Sequence, residues 1–220
     1  MEQHLPAVTA AEHELYGDAL ILLEGCISEF LSCMDMIRRY RVSRGLRDPV
    51  ASVQSRIKSA ASMRQKLERL ELPLTADSVL HRVRDAAGVR LICPFVEDIF
   101  VTAALIRAIP GLAVLQEKDY IHRPKPNGYR SYHMILSMPL RFIRQEPGEA
   151  VCLEVQLRTL AMDCWASIEH QLKYKREVPH QGLIVEELKR CADEIASTDL
   201  SLETLRHLID EMDGREEAAL

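Results

Sequence analysis

The fold turns on residues 150–158, Ala150-Val-Cys-Leu-Glu-Val-Gln-Leu-Arg158. Val151, Leu153, Val155 and Leu157 alternate with Cys152, Glu154, Gln156 and Arg158. A strand turns successive side chains to opposite faces. The apolar set therefore faces a core, and Glu154, Gln156 and Arg158 line the other face together. Taken alone, the pattern equally describes the wet side of an ordinary antiparallel sheet.

Working outward, Gly88-Val-Arg-Leu-Ile-Cys-Pro94 reads as a buried strand, and Leu112–Glu117 and Ser131–Met138 as two more. Pro147-Gly148 turns the chain into the strand at 150–157. Glu97–Ile109 is expected to be helical up to Pro110-Gly111, and helix returns over Leu160–Lys175. Upstream, Leu20, Leu23, Ile27, Phe30, Met34 and Ile37 recur at steps of three and four, which predicts an N-terminal helix over 14–44. Asp48-Pro49 breaks it, and a second helix is expected from Val50 to Leu70, stopped by Pro73. Asp77 or Ser78 would cap a short helix reaching Ala86. A helix or helix pair fills 183–212. The expectation is one α+β domain over 1–220 with its core at about 50–175. In it a mixed sheet of about five strands is flanked by long N- and C-terminal helices, the candidate oligomerisation arms.

Composition is that of an ordinary globular protein, 47% hydrophobic and 28% charged. No run approaches the roughly 20 apolar residues that span a bilayer. Met1–Thr9 lacks the basic start and apolar stretch of a signal peptide, so a cytoplasmic protein without membrane partners is expected. The six cysteines form no C-x-x-C pair, which argues for buried reduced thiols over a zinc site. The net charge of −5 is uneven. Residues 38–90 hold thirteen Lys/Arg against five Asp/Glu, and residues 183–220 hold four against eleven. A basic half in an acidic chain suggests an anionic ligand, or else a solvated charged face.

The candidate chemistry lies in a few places. Lys58, Ser62, Lys66 and Arg69 are spaced four, four and three, which puts them on one helical face. Ala60, Met63, Leu67 and Leu70 take another face, and no acid interrupts the cations before Glu68. Arg90 sits in an otherwise apolar strand and needs a partner or an anionic ligand. Asp85 could be that partner. Alternatively Asp85 and Glu154 meet across the sheet and share a hard cation, and a carboxylate pair completed by phosphates and water suits Mg²⁺. The loop Lys125-Pro-Asn-Gly-Tyr-Arg130 joins two cations, a turn and a ring able to stack on a base. Phosphate-loop, dinucleotide, zinc-protease and nucleophile-elbow motifs are absent, as is any His-Asp dipeptide.

Five blocks, in order and spacing, carry a resemblance. They are Arg56-Ile-Lys-Ser-Ala-Ala-Ser62, Arg84-Asp-Ala-Ala-Gly-Val-Arg90, Lys125-Pro-Asn-Gly-Tyr-Arg-Ser-Tyr-His133, Leu153-Glu-Val-Gln-Leu-Arg-Thr159 and Ala161-Met-Asp-Cys-Trp-Ala-Ser-Ile-Glu-His170. The sequence resembles the synthetase domain of the RelA/SpoT homologue family, in its short single-domain branch. The resemblance implies a nucleotidyltransferase-like fold and Mg²⁺-dependent transfer of pyrophosphate from ATP to the 3′-hydroxyl of GDP or GTP. It implies that Asp85 and Glu154 hold Mg²⁺ and that Glu154 activates the acceptor hydroxyl. Arg56 and Arg90 would sandwich adenine, and Lys58, Ser62, Lys66 and Arg69 would bind the ATP phosphates. Tyr129 would stack on guanine, with Lys118, Lys125, Asn127, His133 and Gln156 around the acceptor. Synthesis without degradation and a homotetramer are further expectations. Members that bind product in a central cleft carry an Asn at the Asp163 position, so product activation is not expected here. The competing readings are a single-stranded RNA or nucleotide-binding regulatory module on the same fold, and a different nucleotidyltransferase.

Overall fold

The computed structural model describes residues 10–141, 150–174 and 181–213. The expected Pro147-Gly148 turn lies outside them. Five strands form one mixed sheet: β1 (Ser52–Ile57), β2 (Ala87–Cys93), β3 (Ala113–Asp119), β4 (Tyr132–Met138) and β5 (Val151–Thr159), in the order β1-β2-β5-β4-β3. β2 and β5 are parallel and every other neighbouring pair is antiparallel. Helices α1 (Ala10–Tyr16), α2 (Ala19–Ser43), α3 (Ala60–Arg69), α4 (Ala76–Arg82), α5 (Val96–Arg107), α6 (Leu160–Tyr174) and α7 (Gln181–Asp213) complete the described residues.

The alternation in β5 does what its periodicity requires. Val151, Leu153, Val155 and Leu157 are buried, with Cys152, Glu154 and Gln156 between them only partly so. The buried set joins Val89 and Leu91 of β2, Met134 and Leu136 of β4, and Leu23, Ile27, Phe30 and Met34 of α2 in one core. Ile99, Ala103 and Ile106 of α5 belong to the same cluster. The helices behind the sheet thus leave its other face to polar side chains.

Four expectations are corrected. The stretch read as one helix over Val50–Leu70 is a strand followed by a helix. β1 is an edge strand whose side chains are largely exposed, so its alternation barely registers as hydrophobic pattern, and only Val53 and Ile57 lean on the core. The helix begins after Ser59, whose side chain accepts from the Ser62 N–H. Arg56 therefore belongs to β1, and Lys58 lies between strand and helix. Secondly, the N-terminal helix is interrupted at Gly17, which adopts φ +50° between α1 and α2. Thirdly, the cap of α4 is Thr75. The cysteines are all free thiols, but Cys164 is exposed where burial was expected. No described helix is long and apolar enough to cross a membrane.

Charged pairs tie the layers together. Asp98, 3% exposed, receives both Arg47 terminal nitrogens at 3.2 and 3.0 Å. The single 33-residue α7 is anchored by Thr159 Oγ1 donating to Asp199 at 2.6 Å, and by the Glu97 N–H donating to Glu203 at 2.7 Å. Glu97 in turn pairs with Arg206 and His207.

Helix α3 presents its cations only because Ala60, Met63 and Leu67 are sunk into the core. Leu67→Ala should lower the unfolding free energy by about 2–5 kcal/mol, read as a shift in denaturant midpoint. An unchanged midpoint would show that this docking does not hold the helix.

Candidate active site

The strand registers set a row of polar side chains across the whole sheet. Lys118 faces His133, His133 faces Gln156, Gln156 faces Arg90 and Arg90 faces Gln54. In the next row Glu154 faces Gly88, which faces Arg56. Gly88 places no side chain between those two, and a cavity of about 170 Å³ opens there, lined by Gln54, Arg56, Gly88, Arg90, Glu154 and Gln156.

A continuous chain of polar contacts runs along this face. Glu154 is 3.3 Å from His133 Nδ1 and accepts from Gln156 Nε2 at 3.0 Å. His133 Nε2 lies 2.8 Å from the Tyr129 hydroxyl, which accepts from Arg158 Nη2 at 2.8 Å. Arg158 also donates to Gln156 Oε1 at 2.9 Å and to Asp163 at 2.9 Å. Asp163 meets Arg90 at 3.0 Å, and Arg90 donates to Gln54 at 3.2 Å. The partner of Arg90 is therefore Asp163, not Asp85.

Asp85 is held by two members of the basic stripe, Lys58 at 2.9 Å and Lys66 at 2.5 Å. Burial disfavours its charge, but the hydrogen bonds and charges of Lys66 and Lys58 outweigh that and hold its carboxyl below the ordinary range. Glu154 follows the same logic. Burial, and to a smaller degree the charge of Asp85, push its pKa up, while His133 and Gln156 bring the balance below the usual glutamate value. Both carboxylates are thus ionised at neutral pH and feel one another. Among the described residues no cluster of three or more His, Cys, Asp or Glu side chains could hold a metal. The donor set is two hard, anionic oxygen groups, which fits a cation that takes its remaining ligands from phosphate and water.

The loop at 125–130 is shaped by its own hydrogen bonds and by α7. Gly128 donates to the Lys125 carbonyl at 2.8 Å, and Asn127 Oδ1 accepts from the Tyr129 N–H at 3.3 Å. Asn127 Nδ2 donates to Glu169 at 2.9 Å, so both ends of this side chain fix the loop. Gly128 has φ +88°, and a Cβ there would sit 2.6 Å from Ala192 Cβ. Arg130 reaches the Ala192 carbonyl at 3.2 Å and Asp193 at 3.0 Å. The Tyr129 ring is flanked by Lys125 Nζ at 4.6 Å and the Arg158 guanidinium at 5.2 Å from its centroid.

The structure therefore gathers Glu154, Gln156, His133, Tyr129, Arg90 and Arg56 on one sheet face, with Asp85, Lys58 and Lys66 at its margin. Ser62 and Arg69 are exposed on α3, and Lys118 is exposed on the far edge strand. Sequence reasoning assigned no site role to Gln54, Gly88, Arg158 or Asp163. Arg158 was legible as the third member of the polar set in β5, whereas Gln54 was hidden by the helical reading of its segment.

The model for the region found in RelA and SpoT proteins matches residues 55–178, more than half of the chain. The chain is 40% identical over 148 residues to the GTP pyrophosphokinase YwaC of Bacillus subtilis, covering 66% of this chain and 69% of that protein. It is 38% identical over 141 residues to the GTP pyrophosphokinase YjbM of the same organism, covering 64% of this chain and 63% of YjbM, just under two thirds. The fold is similar to the crystal structure of small alarmone synthetase 1 from B. subtilis bound to its product pppGpp. The TM-score is 0.75 and the identity 30%, over 87% of this chain and 96% of that one. Small alarmone synthetase 2 from B. subtilis gives 0.76 and 33%, over 87% and 98%.

Gly128→Ala should strain the loop, since a left-handed non-glycine residue costs about 1–3 kcal/mol before the clash with Ala192 is counted. The check is a lower melting temperature with faster amide exchange over 125–130, and wild-type exchange would refute it. Asp85 and Glu154 titrate below their unfolded values, so the stability they confer is present above the unfolded values and is lost as pH falls through the folded ones. The denaturant midpoint should decline from about pH 4 downward, and Asp85→Asn should flatten that slope. An equal slope in the variant would exclude Asp85 as a contributor.

Proposed function

The chain belongs to the RelA/SpoT family, and on that premise we propose that it is a GTP pyrophosphokinase of the small alarmone synthetase kind. It transfers pyrophosphate from ATP to the 3′-hydroxyl of GDP or GTP, giving AMP and ppGpp or pppGpp, the alarmones of the stringent response. The observation that carries this reading is the pair of ionised carboxylates, Asp85 and Glu154, set between Lys58 and Lys66 on one side and the polar and aromatic face of His133, Gln156 and Tyr129 on the other.

In this reading Arg56 and Arg90 flank adenine at the cavity over Gly88, a space suited to one base. Lys58, Ser62, Lys66 and Arg69 take the phosphates, and Lys58 and Lys66 exchange Asp85 for phosphate oxygens as ATP enters. Tyr129 stacks on guanine, with Lys118, Lys125, Asn127, His133 and Gln156 around the acceptor. Lys125 lies over the Tyr129 ring and must lift for stacking. Glu154 accepts the hydrogen bond of the 3′-hydroxyl and aims its oxygen at the β-phosphorus of ATP. As the new O–P bond forms, the bond from the β-phosphorus to the α,β-bridging oxygen breaks, the hydroxyl proton passes by way of Glu154 to water, and AMP leaves. With its pKa held down, Glu154 contributes more by orientation than by proton affinity. Mg²⁺ held by Asp85 and Glu154 would supply charge neutralisation on the transferred phosphates.

We also read the protein as a cytoplasmic homotetramer formed through its helical arms. Leu202, Leu205, Ile209 and Met212 of α7, at helical spacing, and Ile21, Met36 and Tyr40 of α2 are exposed apolar side chains that support it. The RNA-binding alternative is less well supported, because Lys58 and Lys66 are committed to a carboxylate that RNA would not require.

Purified protein with ATP, GDP and Mg²⁺ should yield AMP and ppGpp on anion-exchange chromatography. Glu154→Gln should reduce turnover by about 10²–10⁴-fold while the circular dichroism spectrum is unchanged. Wild-type product from that variant would remove Glu154 from the reaction.

A further inference from the structure

Asp163 stands on α6, outside the sheet that carries most of the site, yet the two halves of the site meet at its carboxylate. One oxygen, Oδ1, lies 2.9 Å from Arg158 Nη1 and 3.0 Å from Arg90 Nη1. The two arginines differ in what else they hold. Arg158, whose side chain is 6% exposed, also donates to the Tyr129 hydroxyl and to Gln156 Oε1. Arg90, 24% exposed, also donates to the neutral amide of Gln54 at 3.2 Å. The guanidinium groups of Arg158 and Arg56 repel that of Arg90, and the charge of the Asp163 carboxylate opposes that repulsion.

We infer that Asp163 is a positioning residue that aims Arg90 at the donor nucleotide by sharing one carboxylate oxygen between Arg90 and Arg158. The inference rests on the reading in which Arg90 contacts the adenine of ATP. Removing one partner of a half-buried ion pair leaves the other charge uncompensated. Arg158 keeps two acceptors and has little room to move, so it stays under Tyr129. Arg90 keeps one weak acceptor and lies at the more open end of the network, so it turns away toward water. The consequence is selective: the donor site loosens while the acceptor site holds. Asp163 touches neither substrate in this arrangement and acts through Arg90.

The test combines steady-state kinetics with calorimetric titration of a non-hydrolysable α,β-methylene analogue of ATP. Asp163→Asn should raise the KM for ATP and the analogue Kd about tenfold, with the KM for GDP changed less than about twofold and kcat nearly constant. In an Arg90→Gln background the same substitution should change the analogue Kd by less than about twofold, because the group it positions is gone. Asp163→Glu keeps the charge on a longer stem and should fall between, with an increase of about threefold in analogue Kd. Should the Asn variant fail to fold, the Glu variant and its Arg90→Gln double variant carry the same comparison. Unchanged ATP-analogue affinity, equal weakening of both nucleotides, or an undiminished effect in the Arg90→Gln background would each overturn the proposal. The failures are separable. Wild-type protein that binds the analogue but forms no AMP from ATP and GDP would refute the synthetase reading alone. Full synthesis with an ATP affinity indifferent to residue 163 would refute this anchor alone.

Discussion

Everything in the site depends on one burial constraint. Val151, Leu153, Val155 and Leu157 have to leave water, and the core beneath the sheet is where they go. The hydrophobic gain from four such side chains is several kcal/mol, far more than a surface polar contact can offer. A register slip of a single residue would put Glu154 and Gln156 into that core. The placement of Glu154 and Gln156 is thus enforced by side chains buried on the opposite face. Because β5 lies between β2 and β4, the same register carries over to Arg90 and His133 on either side.

On that face the energetics are those of a crowded charge system. Arg56 and Arg158 stand close enough to act on Arg90, and burial raises the cost of the Arg90 charge. Asp163 and the neutral acceptors Gln54 and Gln156 distribute that burden. On the other margin, Asp85 collects two lysines. A surface arranged this way is tuned for polyanions: each phosphate that arrives relieves repulsion among cations instead of merely adding attraction.

Much of this was legible in the sequence, and the omissions have physical causes. The period-two pattern at 151–158 was clear because one face is wholly buried, and the same reasoning fixed Glu154, Gln156 and Arg158 as neighbours. Leu20 through Met34 read as helix because they cover the sheet. The segment 52–57 misled because an edge strand with exposed side chains has no burial pattern to display, so Arg56 was placed on the wrong kind of element. The partner of Arg90 was out of reach for another reason: Asp163 lies 73 positions further along and reaches Arg90 only through the packing of α6. The side-chain partners of Asn127 were out of reach as well: Tyr129 and Glu169 engage it, and the second of these is a tertiary contact that no local spacing encodes.

The seating of Gly128 and Arg130 against α7 has a temporal consequence. The helix residues they touch, Ala192 and Asp193, follow Arg130 by 62 and 63 positions. A ribosome delivers the 125–130 loop first and its support seconds later, at about 5–20 residues per second. Until α7 has emerged from the exit tunnel, a nascent chain has the strands and the basic helix but lacks the surface on which the 125–130 loop rests. The 125–130 loop therefore reaches its final seating only once α7 has been made.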